Sequence, residues 1–252
     1  MTTISLIVPA AGCGARTKLD GNKILVPLHG RPLLWWTLRA LSSPQAMPDN
    51  CRLIEILVAA RREEFALIES VFELLQTPLE PQSTLAAEIS LRLIEGGAHR
   101  QASVQNAVRV ATGNLVAVHD AARPLVSPAL VARVIAAAQE SGAAIAALPV
   151  ADTVKIAHEN ALPTSVSTIE QTFDRNRIWL AQTPQVFARK VLWEALQHAE
   201  RDNFIGTDCA SLVEHHAEVA VSLIEGETTN FKVTFATDIE RALNLLDSNE
   251  GV

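Results

Sequence analysis

Short, continuously apolar runs alternate along this chain with longer stretches in which apolar residues recur every three or four positions. The runs Ile4 to Val8, Leu53 to Val58, Ile89 to Ile94, Leu115 to Val118, Ala143 to Val150 and Val219 to Ile224 predict strands. Most of them are predominantly apolar rather than alternating, as expected for strands covered on both faces. Between them lie helical spacings. Pro32 opens a helix over Leu33 to Leu41, and Phe65, Ile68, Phe72 and Leu75 share one face of a helix predicted over Arg62 to Leu75. A third helix is expected from about Arg100 to Ala111. Ser127-Pro128 supplies an N-cap and a first-turn proline for a fourth, which carries Leu130, Val131, Val134 and Ile135 and stops at Gly142. Helical spacing returns over Arg189 to Glu200 and Asp208 to His216. The last helix is expected to open on a capping box, Thr237 to Glu240. Strand and helix in alternation predict an α/β fold: a Rossmann-like, open, mostly parallel sheet with helices on both faces.

The stretch from 151 to 177 breaks the pattern. It is richer in Thr, Ser, Asp and Glu, and holds two β-prone runs, Thr153 to Ile156 and Ser165 to Ile169, joined by a turn near Asn160 to Pro163. A hairpin alone is marginal in water, so this β-arm needs a surface to lie on, and a second subunit is the candidate. The organisation expected is one domain over residues 1–252 with a β-arm subdomain at about 151–177.

Composition then limits what such a fold could do. With 252 residues, 48% of them apolar, the chain can bury a large core. Its net charge of −7 argues against a nucleic-acid-binding surface, so its cations read as a local site rather than a long-range field. The three cysteines, Cys13, Cys51 and Cys209, are unpaired in number and widely spaced, which suits a reducing cytoplasm and neither a disulfide framework nor a zinc cluster. No basic, apolar leader pattern opens the chain, and no apolar run reaches the ~18 residues of a membrane span.

The chemistry-bearing stretches sit where strands end. Val8-Pro-Ala-Ala-Gly-Cys-Gly-Ala-Arg16 follows the first strand, with Lys23 beyond it. Glycines let backbone N–H groups approach an anion, and the two cations neutralise it. The common nucleotide cradles do not match: Thr17 stands where a dinucleotide fingerprint wants its third glycine, and no Gly-Lys-Ser/Thr occurs here. On the glycines alone the stretch reads equally well as a plain strand–helix turn. His119-Asp-Ala-Ala-Arg-Pro124 follows another strand, where open α/β sheets hold ligands. Asp120 suits a metal or substrate hydroxyls and Arg123 a phosphate; a surface Asp–Arg pair is the plainer alternative. His119, lacking a Ser or Cys partner, reads as structural. Gly96-Gly-Ala-His-Arg-Gln-Ala-Ser103 could offer backbone groups and a hydroxyl to a base or ribose. Arg175 and Lys232 read as further anion contacts or as solvated charges. Cys13, without a paired base, reads as a small filler. Trp35, Trp36, Trp179 and Trp193 suit core or interface, the interface option applying to Trp179 beside the arm.

Seven stretches occur in a fixed order: Val8-Pro-Ala-Ala-Gly-x-Gly-x-Arg16 with Lys23, Gly96-Gly-x-x-Arg-x-x-Ser103-Val, Val118-His-Asp-Ala-Ala-Arg-Pro124, Pro149-Val-x-Asp-Thr153-Val-Lys, Asp174-Arg-x-x-Ile-Trp-x-Ala-Gln-Thr-Pro-Gln185, Thr207-Asp-x-Ala-Ser211 and Asn230-x-Lys232-Val-Thr. Together they resemble the 2-C-methyl-D-erythritol 4-phosphate cytidylyltransferase family over nearly the whole chain. The resemblance implies transfer of CMP from CTP to a polyol phosphate, with release of pyrophosphate. It implies a nucleotide site at Pro9, Ala10, Ala11, Gly12, Gly14, Gly97, Ala98, Ser103, Asp120 and Ala121. Arg16 and Lys23 would hold the triphosphate and stabilise the transition state. Asp120, Arg123, Thr153, Arg175 and Lys232 would hold the polyol phosphate, with Arg175 and Lys232 in the catalytic set. Mg²⁺ is implied, bound mainly through the CTP phosphates, with no metal-binding residue of the protein's own. A homodimer is implied through the arm, Thr153 and Arg175 serving the neighbour's site. Ala98, Ala102 and Cys209 each stand where the family often has an acidic residue. A cytidylyltransferase for another polyol phosphate, such as ribitol 5-phosphate, and a non-catalytic nucleotide sensor on the same fold are the alternatives.

Overall fold

Most of the apolar runs become adjacent strands because they are buried on both faces and pair on both edges; Ser90–Glu95 and Ser222–Glu225 are the partly exposed edge strands. The computed structural model describes residues 1–12, 22–77, 88–158, 168–216 and 218–249. In chain order the elements are β1 (Thr2–Pro9), the two-residue strands β2 (Pro27–Leu28) and β3 (Arg31–Pro32), α1 (Leu33–Leu41), β4 (Cys51–Ala60), α2 (Phe65–Gln76), β5 (Ser90–Glu95), α3 (Arg100–Val110), β6 (Leu115–Val118), α4 (Pro128–Ser141) and β7 (Ala143–Pro149). Then come β8 (Lys155–Ala157), β9 (Ile169–Thr172), β10 (Trp179–Ala188), α5 (Arg189–Arg201), α6 (Cys209–His216), β11 (Ser222–Glu225) and α7 (Ala236–Asn249).

The central sheet has seven strands in the order β11-β7-β10-β6-β1-β4-β5. Every pairing is parallel except those of β10, which runs antiparallel to both β6 and β7. Side chains alternate across it. Ile4, Leu6, Val8, Ile56 and Val58 meet Leu34, Leu38, Ile68 and Leu130 of α1, α2 and α4 on one face. Ile7, Leu57, Val116 and Val118 meet Val104, Leu192 and Leu212 of α3, α5 and α6 on the other. A smaller cluster, with Leu28, Leu33, Val233, Ala242 and Leu246, seats α7.

The structure differs from the sequence-based expectation in four places. Residues Trp179–Ala188 form a central strand although they carry Gln182, Thr183 and Gln185; all three side chains are buried and hydrogen-bonded, so polarity did not keep the segment out of the core. The second helix begins at Phe65, because 62–64 form a 3₁₀ turn. The last helix begins at Ala236, so Thr237 lies within it, and Asp238 in its first turn reaches back to accept from the N–H groups of Thr234 (2.7 Å) and Phe235 (2.8 Å) just before it. The arm is a hairpin, but its strands are β8 and β9, later than expected, and residues 159–167 lie outside the described set. No helix among the described residues is long and apolar enough to cross a membrane.

Candidate active site

The chain leaves β1 toward β4 and β5 on one side, while β6 and its neighbours lie on the other, so the β1/β6 junction is a switch point of the sheet. Ligand crevices form at the carboxyl ends of strands at such points. A cleft of about 470 Å³ opens there. Pro9, Ala10, Ala11 and Gly12 line it from the end of β1, and Asn22, Lys23 and Ile24 from the segment beyond. Gly97, Ala98, His99, Arg100 and Ser103 come from the β5–α3 junction, Asp120, Ala121 and Ala122 from the loop after β6, and Lys232 from the stretch after β11.

Local chemistry shapes each wall. The Ala10 N–H continues the β1–β4 ladder to the Ala59 carbonyl at 2.7 Å, which holds the start of the glycine loop flat against the sheet. Asn22 is buried; its amide donates to the Ala10 carbonyl and to Glu64 Oε2 (both 3.1 Å), and its Oδ1 accepts from Ile24 N (3.3 Å). That clamp fixes the turn carrying Lys23. Across the cleft, Gly96 and Gly97 are required by close approach: a Cβ on Gly96 would overlap the Ala11 Cβ, and one on Gly97 the Ala102 Cβ. Ser103 Oγ accepts from Gly97 N (3.0 Å) and donates to the His99 carbonyl (3.1 Å), while His99 Nδ1 caps α3 by accepting from Ala102 N. This wall offers backbone groups and small side chains, as a flat base or ribose requires.

The opposite wall is charged. Asp120 is 8% exposed and every contact found on its carboxylate, among the described residues, is cationic. Oδ1 meets Arg100 through Nε (3.1 Å) and Nη2 (3.0 Å); Oδ2 meets Lys232 Nζ (3.0 Å) and, further off, Arg123 Nε (3.7 Å). Burial alone would push this carboxyl up, but Arg100, Lys232 and Arg123 outweigh it and hold it far below the usual carboxylate range. It is therefore a permanent anion. Arg100 also donates to Cys209 Sγ at 3.6 Å, and burial pushes that thiol up, so Cys209 stays protonated. His119, fully buried, is pushed down to about 4, first by burial, and its Nε2 lies 3.2 Å from the Arg123 carbonyl. It is a neutral structural imidazole, as its sequence setting suggests.

A buried polar lattice stands behind these cations. The Asn230 amide donates to Gln182 Oε1 (3.1 Å) and to the Thr183 carbonyl (2.8 Å), while its own carbonyl accepts from Arg123 Nη1 (2.7 Å). Gln182 in turn bridges Glu227 by donating to its carbonyl and accepting from its N–H. Thr183 Oγ1 accepts from Asp120 N (3.1 Å). Lys23 Nζ donates to the Val233 carbonyl at 2.8 Å, which brings Lys23 beside the segment that carries Lys232.

Comparison with known proteins decides what family this geometry belongs to. Residues 4–248 match the family model for 2-C-methyl-D-erythritol 4-phosphate cytidylyltransferase. The chain belongs to that family. A relative of the same name from Bacillus velezensis is 35% identical over 247 residues, covering 98% of this chain and 97% of its own. One from Syntrophus aciditrophicus is 37% identical over 247 residues, covering 97% and 96%. The crystal structure of 2-C-methyl-D-erythritol 4-phosphate cytidylyltransferase from Thermus thermophilus superposes with a TM-score of 0.71 at 35% identity, covering 96% of this chain and 98% of that one. That of 4-diphosphocytidyl-2C-methyl-D-erythritol synthase from Anaerococcus prevotii superposes with a TM-score of 0.78 at 26% identity, covering 98% and 99%. The family is one of nucleotidyltransferases.

Against the sites expected for a cytidylyltransferase, the cleft gathers Pro9, Ala10, Ala11, Gly12, Lys23, Gly97, Ala98, Ser103, Asp120, Ala121 and Lys232. Arg123 stands behind Asp120, its side chain 11% exposed. Gly14 and Arg16 lie outside the described residues. Thr153 and Arg175 are not brought into this cleft: both are exposed at the root of the arm, where Arg175 Nη1 donates to the Ala151 carbonyl at 2.8 Å. Sequence reasoning assigned no role to Arg100, Asn22 or Asn230. Arg100 and Asn230 lie inside quoted motifs, and Asn22 directly precedes Lys23, which was the available signal.

Proposed function

We propose that this chain transfers the cytidylyl group of CTP to the phosphate of 2-C-methyl-D-erythritol 4-phosphate, giving 4-diphosphocytidyl-2-C-methyl-D-erythritol and pyrophosphate, a step of isoprenoid precursor synthesis. The observation that carries this assignment is the facing of a small-residue, backbone-rich wall by Lys23 and by one carboxylate ringed by Arg100, Lys232 and Arg123. A polyol phosphate oxygen is already an anionic nucleophile. It attacks the α-phosphorus of CTP, the α–β bridging bond breaks, and the electron pair leaves on pyrophosphate. No general base is needed, and the neutral, buried His119 is not asked to be one. The barrier lies in joining two anions and in charge growing on the α-phosphoryl and the leaving group; fixed cations and N–H donors address both.

In this assignment Pro9, Ala10, Ala11, Gly12, Gly14, Gly97, Ala98 and Ser103 hold the nucleoside and phosphates, with Asp120 and Ala121 beside the ribose. Arg16 and Lys23 hold the triphosphate. Lys232 and Arg123 hold the polyol phosphate with Asp120, and Thr153 and Arg175 complete that site from a partner subunit, reached by the arm. The exposed Ile156, Ile169, Phe173, Trp179 and Leu180 around β8, β9 and β10 support a homodimer formed there. The chain acts as one nucleotidyltransferase domain with the arm as its subdomain, in the cytoplasm. Mg²⁺ is the implied cofactor. Among the described residues Asp120 is the one acidic side chain lining the cleft, and its oxygens already face three cations. That donor set suits an ion held mainly by the triphosphate, where it neutralises charge.

The test is pyrophosphate release from CTP with 2-C-methyl-D-erythritol 4-phosphate, set against ribitol 5-phosphate. Turnover with the first alone supports the assignment. Preference for ribitol 5-phosphate, or CTP binding without turnover on either, defeats it.

A further inference from the structure

The two oxygens of the Asp120 carboxylate have different company. Oδ1 is taken by Arg100 alone, through Nε and Nη2. Oδ2 is shared by Lys232 and Arg123. Arg100 is itself braced: its third nitrogen donates to Cys209 Sγ, and the Cys209 N–H is tied to Gln185 Oε1 at 3.0 Å, within β10. Arg123 is held differently, by the carbonyl of Asn230. Three cations around one carboxylate leave a net charge of +2, equal and opposite to a phosphate monoester dianion.

We propose that Arg100 is a positioning residue that anchors Asp120 through Oδ1, so that Lys232 and Arg123 on Oδ2 can exchange this carboxylate for the phosphate of the second substrate. Asp120 is then the resting counter-ion of a phosphate site. With Oδ1 fixed, the carboxylate cannot follow Lys232 and Arg123 when they turn from Oδ2 to the incoming anion. Arg rather than Lys is needed, because only a guanidinium can fork onto one oxygen and still reach the sulfur behind it. The assignment rests on the proposed function, in which Lys232 and Arg123 hold the polyol phosphate.

The test is steady-state kinetics of Arg100→Gln and Arg100→Lys with both substrates, the native fold of each variant being checked by near-ultraviolet circular dichroism. Losing a charge-assisted anchor is expected to raise KM for the polyol phosphate about tenfold to a hundredfold, and KM for CTP by several-fold less, since Asp120 also stands beside the ribose. Arg100→Lys restores the charge without the fork and is expected to recover only part of that loss. Should Arg100→Gln not fold, Arg100→Lys carries the same split. In an Asp120→Asn background, Arg100→Gln is expected to add little, because it acts through Asp120. Full recovery in Arg100→Lys, an equal rise in both KM values, or additive effects in the double variant each overturn the anchoring role. Lys232→Met and Arg123→Met are run alongside: a polyol-phosphate KM unchanged in both defeats the underlying substrate assignment, whereas a raised KM there with a normal Arg100→Gln defeats the anchoring role alone.

Discussion

The buried imidazole beside Asp120 should make the protein lose stability in mild acid, in a window set by that one group. His119 is fully buried, and its Nε2 faces the Arg123 carbonyl, so Nε2 carries the proton and Nδ1 is the basic nitrogen. No hydrogen-bond partner faces Nδ1 among the described residues. Protonation there would create a buried cation next to Arg100 and Arg123. Burial first, then those two charges, push His119 down to about 4 from 6.5, against the pull of the Arg123 carbonyl and Asp120. The sign follows from which state binds the proton first. As pH falls below 6.5 the unfolded chain takes it up and the folded chain does not, so stability is full above 6.5 and declines until pH reaches the folded value. The whole span corresponds to about 3 kcal/mol, and about 2 kcal/mol should be gone by pH 5. Asp120, held far below the usual carboxylate range when folded, loses its contribution only as the unfolded carboxyl takes up a proton near 3.8, below the pH 5 of the assay. The assay is urea unfolding at pH 7.5 and pH 5, for the wild type and for His119→Gln, whose amide still donates to the Arg123 carbonyl but does not titrate. The wild type should lose about 2 kcal/mol more than the variant between the two pH values. Equal losses would refute the assignment of the acid limb to His119.

Lys23→Ala should lower kcat about a hundredfold to a thousandfold with little change in melting temperature, because its ammonium serves the cleft while Asn22 holds the turn; near-normal turnover would remove Lys23 from the catalytic set. Asn230→Ala should cost about 1–2 kcal/mol in urea unfolding, since it removes a donor to the buried Thr183 carbonyl and one of two donors to Gln182 Oε1, and should leave the polyol-phosphate KM nearly unchanged, because Arg123 is held by the main-chain carbonyl of residue 230. Glu55→Gln should cost about 2 kcal/mol yet leave both KM values unchanged, because its partners Ser5, Thr112 and Arg92 are remote from the cleft. Leu180→Glu should give monomers in sedimentation velocity, with activity falling in step if the partner completes the site; an active monomer would end that assignment.

What could be read from the sequence followed from how local each cause is. The parallel strands were legible because double-sided burial writes itself as an unbroken apolar run, as in Leu115–Val118. The start of α4 was legible because capping acts within a turn: Ser127 Oγ accepts from Leu130 N as its position suggests. β10 was not legible, because its polar side chains are satisfied by partners far along the chain, such as Asn230 and Asp208. The glycine loop and the Asp120 stretch could be named as sites from their place after strands. Their wiring could not: Lys23 bonds a carbonyl 210 residues away, and Arg100 reaches Asp120 from a different strand–helix junction. Such contacts depend on tertiary placement, which no periodicity encodes.

Two buried carboxylates at opposite ends of the sheet show why one end is stable and the other reactive. Near the start of β6, Glu55 Oε1 accepts from Ser5 Oγ, Thr112 N and Thr112 Oγ1, and Oε2 pairs with Arg92. Burial would push this carboxyl up, but those bonds outweigh it and bring it below the usual range. Most of its donors are neutral groups fixed on or beside the backbone, and they cannot leave without opening the sheet. At the other end, past the end of β6, Asp120 is held ionised by side-chain cations alone among the described residues. One carboxylate cannot balance three cations, so that end keeps an excess of positive charge partly out of water, which opposes folding. A phosphate dianion relieves the excess and the fixed neutral lattice behind Asn230 keeps the cations from scattering meanwhile. Among the described residues, the end of the sheet that carries excess positive charge is thus the end to which the proposed function assigns the substrate phosphate.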